Sequence, residues 1–345
     1  MISFTLAGAL ALVASMIPHS ALAIPESTFS IRYHRDVMAY YEGQGVNGSF
    51  PGEGGIGISY RAFQPAGATD ALVILPGRAE AAIKYAEVVY DLRALGLAIY
   101  VLDHRGQGWS GRMTSDFEIG HVEQFDDYVK DLKTFHDRIL APRGYPKTTL
   151  LGHSMGGAIA AAYGARYPRD FDGLVLSSAM LELHLKDGSK TYSNSEALAL
   201  VWTLRHFAGP EAYGQGQGNY DFFISTLQPK VTHSDIRYEQ MIRTYDETTP
   251  KGWLKTGGPS NQWMWEVLRF TRHSAELASG IRVRTLMLVA GDDPIVKSDS
   301  EVTFCRKLGS LCELETFPSS RHEILMETDS IRTPALARIR RFLGR

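Results

Sequence analysis

Short apolar runs alternate with amphipathic stretches along most of the chain from about residue 71. Runs typical of strands buried on both faces occupy residues 71–75, 97–102, 148–151, 171–178, 284–289 and 311–317. Apolar residues with helical spacing predict helices over residues 85–95, 125–139, 155–167 and 331–343. This order predicts an α/β fold, with a mostly parallel central sheet and helices on both faces.

Residues 181–280 interrupt this alternation. The stretch is rich in glycine and in aromatic residues, namely Trp202, Phe207, Tyr213, Tyr220, Phe222, Phe223, Trp253, Trp263, Trp265 and Phe270. We expect a mainly helical cap inserted between two parts of the core, residues 24–180 and 281–345. Most of these aromatic side chains are expected to fill the cap's own interior, and a few are expected to face a substrate.

The first 23 residues contain no Lys, Arg, Asp or Glu. An apolar run from Ile2 to Ile17 precedes Ala21-Leu22-Ala23, a small-x-small sequence typical of a cleavage site. The run is shorter than the ~20 apolar residues of a spanning helix. We therefore expect a secretory signal cut after Ala23 and a periplasmic or secreted protein, with a retained membrane anchor as the alternative.

Composition excludes several classes of protein. Of 345 residues, 44% are hydrophobic, and 36 Lys and Arg against 38 Asp and Glu give a net charge of −2. The apolar fraction excludes a disordered chain, and the near-neutral charge gives no support to nucleic-acid binding. Two cysteines cannot form a disulfide scaffold. Cys305 and Cys312 are predicted to be either one disulfide or two partly buried thiols.

The sequence Gly152-His153-Ser154-Met155-Gly156 is the strongest chemical signal. It has the pattern G-x-S-x-G and lies between a predicted strand and a predicted helix, which is the context of a nucleophile elbow. Gly152 and Gly156 are small because the turn is tight. Ser154 is the predicted nucleophile, raised above the sheet at a helix N-terminus.

A serine nucleophile needs a histidine base and an acid, which in this arrangement follow it along the chain. The predicted strand at 284–289 runs into Asp292 and Asp293, and we choose Asp293 as the acid, with Asp292 as the alternative. His322 follows the last predicted strand and is the predicted base. Three other histidines, His104, His121 and His153, lie in the wrong chain order.

The oxyanion of a tetrahedral intermediate needs N–H donors. The backbone N–H of Met155 is one candidate, because it follows the nucleophile, and that of Arg78, in the loop after the strand at 71–75, is the other. We interpret the Arg78 side chain as solvated, with contact to an anionic substrate group as the alternative. No H-E-x-x-H motif indicates a catalytic metal, and no cofactor or metal is predicted.

Several motifs between residues 71 and 342 resemble one known group of enzymes. They are Pro76-Gly77-Arg78-x-Glu80, Lys84-Tyr85-Ala86-Glu87, Asp103-His104-Arg105-Gly106-Gln107-Gly108, His153-Ser154-Met155-Gly156-Gly157, Gly257-Gly258-Pro259 and His322-Glu323-Ile324-Leu325, with Thr232-His233-Ser234 and Trp263 in the insertion. Together they resemble the α/β-hydrolase superfamily, in its branch of monoacylglycerol lipases and bacterial lysophospholipases. The resemblance implies hydrolysis of the ester of a single-chain lipid without a cofactor.

We therefore expect a serine ester hydrolase acting on lysophospholipids or monoacylglycerols. A short-chain carboxylesterase or an acyltransferase of the same fold is the alternative, and a non-catalytic binding protein is a third. Epoxide hydrolases and dehalogenases of this fold need Asp where this chain has Ser154. Peripheral contact with a membrane is an expectation, and the oligomeric state is left open.

Overall fold

A computed structural model describes residues 23–187, 189–248 and 250–344. The predicted signal therefore lies, except for Ala23, outside the described residues. The strands are β1 Val46–Pro51, β2 Gly57–Phe63, β3 Asp70–Leu75, β4 Ala98–Leu102, β5 Lys147–His153, β6 Gly173–Ser177, β7 Lys186–Asp187, β8 Lys190–Thr191, β9 Arg284–Ala290 and β10 Cys312–Phe317. The α-helices are α1 Glu26–Arg32, α2 Ala39–Gln44, α3 Ala86–Leu92, α4 Phe125–Phe135, α5 Met155–Arg166, α6 Asn194–Phe207, α7 Tyr220–Val231, α8 Asp235–Glu247, α9 Asn261–Thr271, α10 Ser298–Leu308 and α11 Asp329–Phe342.

Eight strands form the central sheet, in the order β1-β2-β4-β3-β5-β6-β9-β10. From β4 to β10 the neighbours are parallel, whereas β2 is antiparallel to both β1 and β4. Within β3, Val73 and Leu75 point into one hydrophobic cluster, while Leu72 and Ile74 point into another. Both faces of the sheet are therefore covered, and the predicted α/β class is confirmed.

The antiparallel edge formed by β1 and β2 was not predicted from the sequence. Val46 at the start of β1 is exposed, and only Phe50 is buried in that strand. An edge strand with one solvated side lacks the continuous apolar run that marks the inner strands. Five inner strands, β3, β4, β5, β6 and β9, and the edge strand β10 lie at the predicted positions to within two residues at each end, a difference of the size expected at element termini.

The stretch between β6 and β9 contains the short β7–β8 hairpin and helices α6 to α9. Tyr220 and Trp263 are buried there, which fits the expectation that aromatic side chains fill its interior. By contrast, Trp202, Phe207 and Phe222 are exposed. The exact domain boundaries, 24–180, 181–280 and 281–345, stay a prediction.

A buried arginine joins α8 of this stretch to three other parts of the chain. Arg237 on α8 is 1% exposed, and its Nε lies 3.1 Å from a carboxylate oxygen of Glu87 on α3. Its terminal nitrogens donate to the carbonyls of Ile24 and Glu327 and to the Asp329 carboxylate. The folded core therefore includes the chain from Ile24 onward.

Cys305 on α10 and Cys312 at the start of β10 form a disulfide. The chain reverses between them at Gly309, whose φ of 59° is readily adopted by glycine. The open question about these two cysteines is thus answered in favour of the bond. In the ranges that the structure describes, no helix has both the length and the apolar character needed to cross a membrane.

Candidate active site

Ser154 occupies a sharp turn between β5 and α5. Its φ of 51° is unusual for a residue with a side chain, and such strain is typical of functional turns. A Cβ atom on Gly156 would lie 2.0 Å from the carbonyl oxygen of Leu75, and one on Gly152 would lie 2.4 Å from the carbonyl oxygen of Gly156. Only glycine fits at both positions, as the tight turn predicted from the sequence requires.

His322 joins Ser154 and Asp293 in a continuous chain of hydrogen bonds. Its Nε2 atom lies 2.9 Å from Oγ of Ser154, and its Nδ1 atom lies 2.6 Å from Oδ2 of Asp293. The other oxygen of Asp293 accepts hydrogen bonds from the backbone N–H groups of Ile295 and Val296, at 2.8 and 3.0 Å. Three predicted residues that lie far apart in the sequence thus meet in one place, in the order that acyl transfer requires.

The alternative acid, Asp292, lies elsewhere. Its side chain is exposed, and its backbone N–H donates to the carbonyl of Ser320. The three other histidines are held by other partners: His104 by the carbonyl of Pro76, His121 by Ser260, and His153 by the carbonyl of Ser177.

Charge and burial shift the pKa values of His322 and Asp293 in opposite directions. Burial alone would lower the pKa of His322, but the Asp293 carboxylate, together with Glu323 and Glu80, outweighs it, so the pKa of His322 is raised. Burial alone would raise the pKa of Asp293, but His322 and the two backbone N–H groups outweigh it, so the pKa of Asp293 is lowered. The pair is arranged to keep Asp293 ionised and to stabilise an imidazolium on His322.

Residues 76–80 form a rigid loop beside the nucleophile. The side chain of Gln107 donates to the carbonyls of Gly77 and Glu80, both at 2.7 Å, and accepts from the N–H of Ala79. The N–H of Gly77 donates to the Glu80 carboxylate. Among the described residues, nothing accepts from the N–H of Arg78, so this group is available for an oxyanion.

Met155 supplies the second candidate donor. It is the first residue of α5, where backbone N–H groups have no acceptor within the helix. Since the Cβ contact of Gly156 places the chain at Leu75 directly beside the first turn of α5, the loop that follows β3 borders the same site.

The Arg78 side chain is not solvated, so our interpretation of it was wrong. It is only partly exposed, and its Nη1 donates to the carbonyl of Gly257 at 2.7 Å. Its guanidinium lies over the rings of Phe223 and Trp263. The contacts come from residues far away in the chain, which no local pattern around Arg78 could reveal.

A buried ionic cluster lies behind the base. Lys84 Nζ is 2.7 Å from a carboxylate oxygen of Glu80 and 2.7 Å from one of Glu323, the residue after His322. Glu80, Glu323 and His153 also have the spacing of potential metal ligands, but the Lys84 ammonium already binds the two carboxylates. Burial lowers the pKa of His153 to about 3, so its ring is neutral beside the ring of His322, 4.9 Å away.

Two further residues near the site were missed by sequence reasoning. Gln107 lies in a motif that supported the family resemblance, but no role of its own was inferred for it from the sequence. Glu301 on α10 is fully buried, and one of its oxygens accepts from the N–H of Ala179 at 2.7 Å. Burial and the nearby Asp293 raise the pKa of Glu301 well above its usual range, which favours its neutral form. Nothing in the sequence separates Glu301 from Asp299, the other acidic residue of its helix.

Comparison with known proteins places this geometry in a family. Residues 67–329 match the family model described as serine aminopeptidase, S33. The chain is 32% identical over 313 residues to lysophospholipase L2 of Escherichia coli K12, with 86% of each chain covered. It is 38% identical over 142 residues to a monoacylglycerol lipase of Mycolicibacterium smegmatis, which covers 39% of this chain and 47% of that one.

The fold is shared with solved structures as well. A monoglyceride lipase from Saccharomyces cerevisiae superposes with a TM-score of 0.64 at 16% identity, covering 87% of this chain and 96% of that one. The resemblance drawn from the sequence motifs is therefore confirmed. The chain belongs to the serine aminopeptidase S33 family and has the α/β-hydrolase fold.

Proposed function

We propose that this protein is a serine ester hydrolase that cleaves the acyl ester of lysophospholipids or monoacylglycerols through an acyl-enzyme on Ser154. The observation that carries the proposal is the unbroken chain of hydrogen bonds from Ser154 through His322 to Asp293. The substrate class is supported by two relatives, whose names are lysophospholipase L2 and monoacylglycerol lipase.

The chemistry proceeds in two halves. Oγ of Ser154 attacks the acyl carbonyl while Nε2 of His322 takes its proton, and the backbone N–H groups of Arg78 and Met155 bind the oxyanion. When the intermediate collapses, the C–O bond breaks and His322 returns the proton to the leaving alcohol. Water then attacks the acyl-enzyme with the same base, releasing the fatty acid and restoring the Ser154 hydroxyl.

A substrate panel tests this function. We expect the wild type to hydrolyse lysophosphatidylcholine and monoacylglycerol, and to prefer long over short chains among p-nitrophenyl esters. The Ser154→Ala variant is expected to lose all of these activities, whereas Ser225→Ala, on the exposed face of α7, keeps them. Full activity of Ser154→Ala would refute the mechanism. Preference for acetate or butyrate esters would favour a short-chain carboxylesterase, and transfer of the acyl group to added alcohol would favour an acyltransferase.

Export belongs to the same proposal. Its support is the uncharged, apolar pattern of residues 1–23 and the disulfide between Cys305 and Cys312, a bond that persists in oxidising compartments. Ile24 is 1% exposed, so the residue expected to begin the mature chain is part of the folded core. N-terminal sequencing of the protein from cell fractions tests this, with Ile24 as the expected first residue. An intact N-terminus in the membrane fraction would favour an anchor.

Peripheral membrane contact is supported by three exposed aromatic residues on α6 and α7. Trp202, Phe207 and Phe222 are 52%, 80% and 48% exposed. Exposed aromatic groups favour the membrane interface. Flotation with phosphatidylcholine vesicles tests this, and we expect Phe207→Ser to reduce vesicle binding. Equal recovery of wild type and variant with the vesicles would contradict it.

A further inference from the structure

The side chain of Arg78 begins in the proposed oxyanion loop, residues 76–80. Its cationic guanidinium lies among residues of the insertion. It lies 4.6 Å from the ring centroid of Phe223 on α7 and 5.5 Å from that of Trp263 on α9. The carbonyl of Gly257 accepts one hydrogen bond from it. The side chain therefore starts where the ester reacts and extends along the border between the core and the insertion.

This cation has no carboxylate within ion-pairing distance in the described part of the chain. Glu80, two residues away, is already bound by Lys84 and by the hydroxyl of Tyr85. Burial lowers the pKa of Arg78 to about 10, so it stays positively charged at neutral pH. A partly desolvated charge without a counter-charge is costly, and aromatic faces offset only part of that cost.

Arg112 shows what a purely structural arginine looks like in the same region. It also lies over an aromatic ring, that of Phe117, and it also reaches the insertion, where it donates to the carbonyl of Trp253. It makes three further hydrogen bonds to the carbonyls of Phe117, Gly108 and Ser110. Its donors are thus used on several sides, whereas the Nε and Nη2 groups of Arg78 meet no acceptor among the described residues.

We propose that the side chain of Arg78 binds the phosphodiester of a lysophospholipid head group while Ser154 attacks the acyl ester. The planar guanidinium presents donors that match phosphate oxygens. The phosphodiester is carried by the same glycerol as the scissile ester, and Arg78 belongs to the loop beside that ester. A monoacylglycerol has no such anion, so Arg78 favours lysophospholipids over monoacylglycerols. This inference rests on the proposed function and makes its substrate class narrower.

The test is a ratio of two activities. kcat/KM is measured for lysophosphatidylcholine and for monoacylglycerol of the same acyl chain, and the first is divided by the second. Any disturbance of the oxyanion donor lowers both activities and cancels in the ratio. We expect Arg78→Met to lower the ratio by about 10- to 100-fold, as expected for a lost charged hydrogen bond. Arg78→Lys should recover part of it, because the charge remains.

Arg112→Met is the matched control, since it removes a similar cation that bridges the core and the insertion. Its ratio is expected to stay at the wild-type value even where both activities fall with stability. An unchanged ratio in Arg78→Met, or an equal shift in Arg112→Met, would overturn the proposal.

A second measurement works even if neither lipid is a substrate. sn-Glycero-3-phosphocholine is expected to inhibit hydrolysis of p-nitrophenyl butyrate by the wild type, with a Ki at least about ten times higher in Arg78→Met. Glycerol and inorganic phosphate, at equal concentrations, should inhibit less. Equal inhibition of wild type and variant by the phosphodiester would overturn the proposal. Stronger, Arg78-dependent inhibition by inorganic phosphate would do the same, because the site would then recognise a free phosphate.

Discussion

Nδ1 of His322 lies 2.6 Å from Oδ2 of Asp293, and both side chains are buried. In this position the carboxylate holds the imidazole with Nε2 facing Ser154, and it stabilises the charge that forms when the ring takes a proton. The two residues are 29 positions apart in sequence, and their contact is produced by the adjacent strands β9 and β10, after which they stand.

Replacing each candidate aspartate in turn shows which of the two is the catalytic acid. We expect Asp293→Asn to lower kcat for p-nitrophenyl butyrate by about 10³- to 10⁴-fold, because the amide favours the wrong tautomer of His322. Asp292→Asn should stay within about twofold of the wild type, since that side chain is exposed and makes no contact with the base. A large loss in Asp292→Asn with little loss in Asp293→Asn would reverse the assignment.

The pH profile should report the raised pKa of His322. Catalysis needs the neutral imidazole, so kcat/KM is expected to rise with pH, with a midpoint above the ordinary histidine value of about 6.5. In Asp293→Asn the carboxylate is gone and burial remains, so the midpoint of the residual activity should move to lower pH. A wild-type midpoint below 6.5 would contradict the balance of charges described here.

The inner strands and the Ser154–His322–Asp293 set could be predicted because their signals are local. Strands buried on both faces appear as apolar runs, and the nucleophile elbow is a short motif with its own glycines. The chain order of Ser, acid and base then selects Asp293 and His322 from many acids and histidines. These features need no knowledge of which distant residues meet.

The rest depends on contacts between distant segments. The pairing of Lys84 with Glu323 spans 239 positions, and that of Arg78 with Gly257 spans 179. No local pattern around either residue identifies its partner, so Arg78, which is only partly exposed, was interpreted as solvated. The edge strand β1 was missed for another reason. Most of its positions are exposed, so it lacks the apolar pattern on which strand prediction relies.

The small residues around the nucleophile predict a severe steric effect. In Gly156→Ala the new Cβ would lie 2.0 Å from the backbone oxygen of Leu75, so the elbow must move. We expect activity on p-nitrophenyl butyrate to fall by about 100-fold or more, the effect of misplacing a nucleophile by about 1 Å. Gly43→Ala, in α2 with no atom within 4 Å of the new Cβ, is the control and should gain about 0.5–1 kcal/mol of stability. Normal activity of Gly156→Ala would contradict the tight approach of these two segments.

The buried arginine of α8 predicts a loss of stability. Arg237→Met removes the ion pair with Glu87. It also leaves three further hydrogen-bond acceptors without their donor. We expect the free energy of unfolding, measured in urea, to fall by about 3 kcal/mol, at the lower end of the usual range because Arg332 still pairs with Glu87. Arg35→Met, which breaks an exposed ion pair with Asp36, should change it by less than about 0.5 kcal/mol. Equal effects of the two substitutions would show that the buried ion-pair network adds little to the free energy of unfolding.

The disulfide predicts a stability effect without a catalytic one. Cys305 and Cys312 close a short loop where α10 turns into β10, and neither contacts Ser154, Asp293 or His322. Replacing both with Ser should lower the free energy of unfolding by about 2 kcal/mol, because the unfolded chain regains the entropy that the short loop restricts. kcat for p-nitrophenyl butyrate at 25 °C should stay at the wild-type value. A reducing agent should destabilise the wild type and leave the double variant unchanged, since only the wild type has a bond to lose. Equal stability of wild type and variant under oxidising conditions would mean that the bond does not form in solution, and the support that it lends to export would be withdrawn.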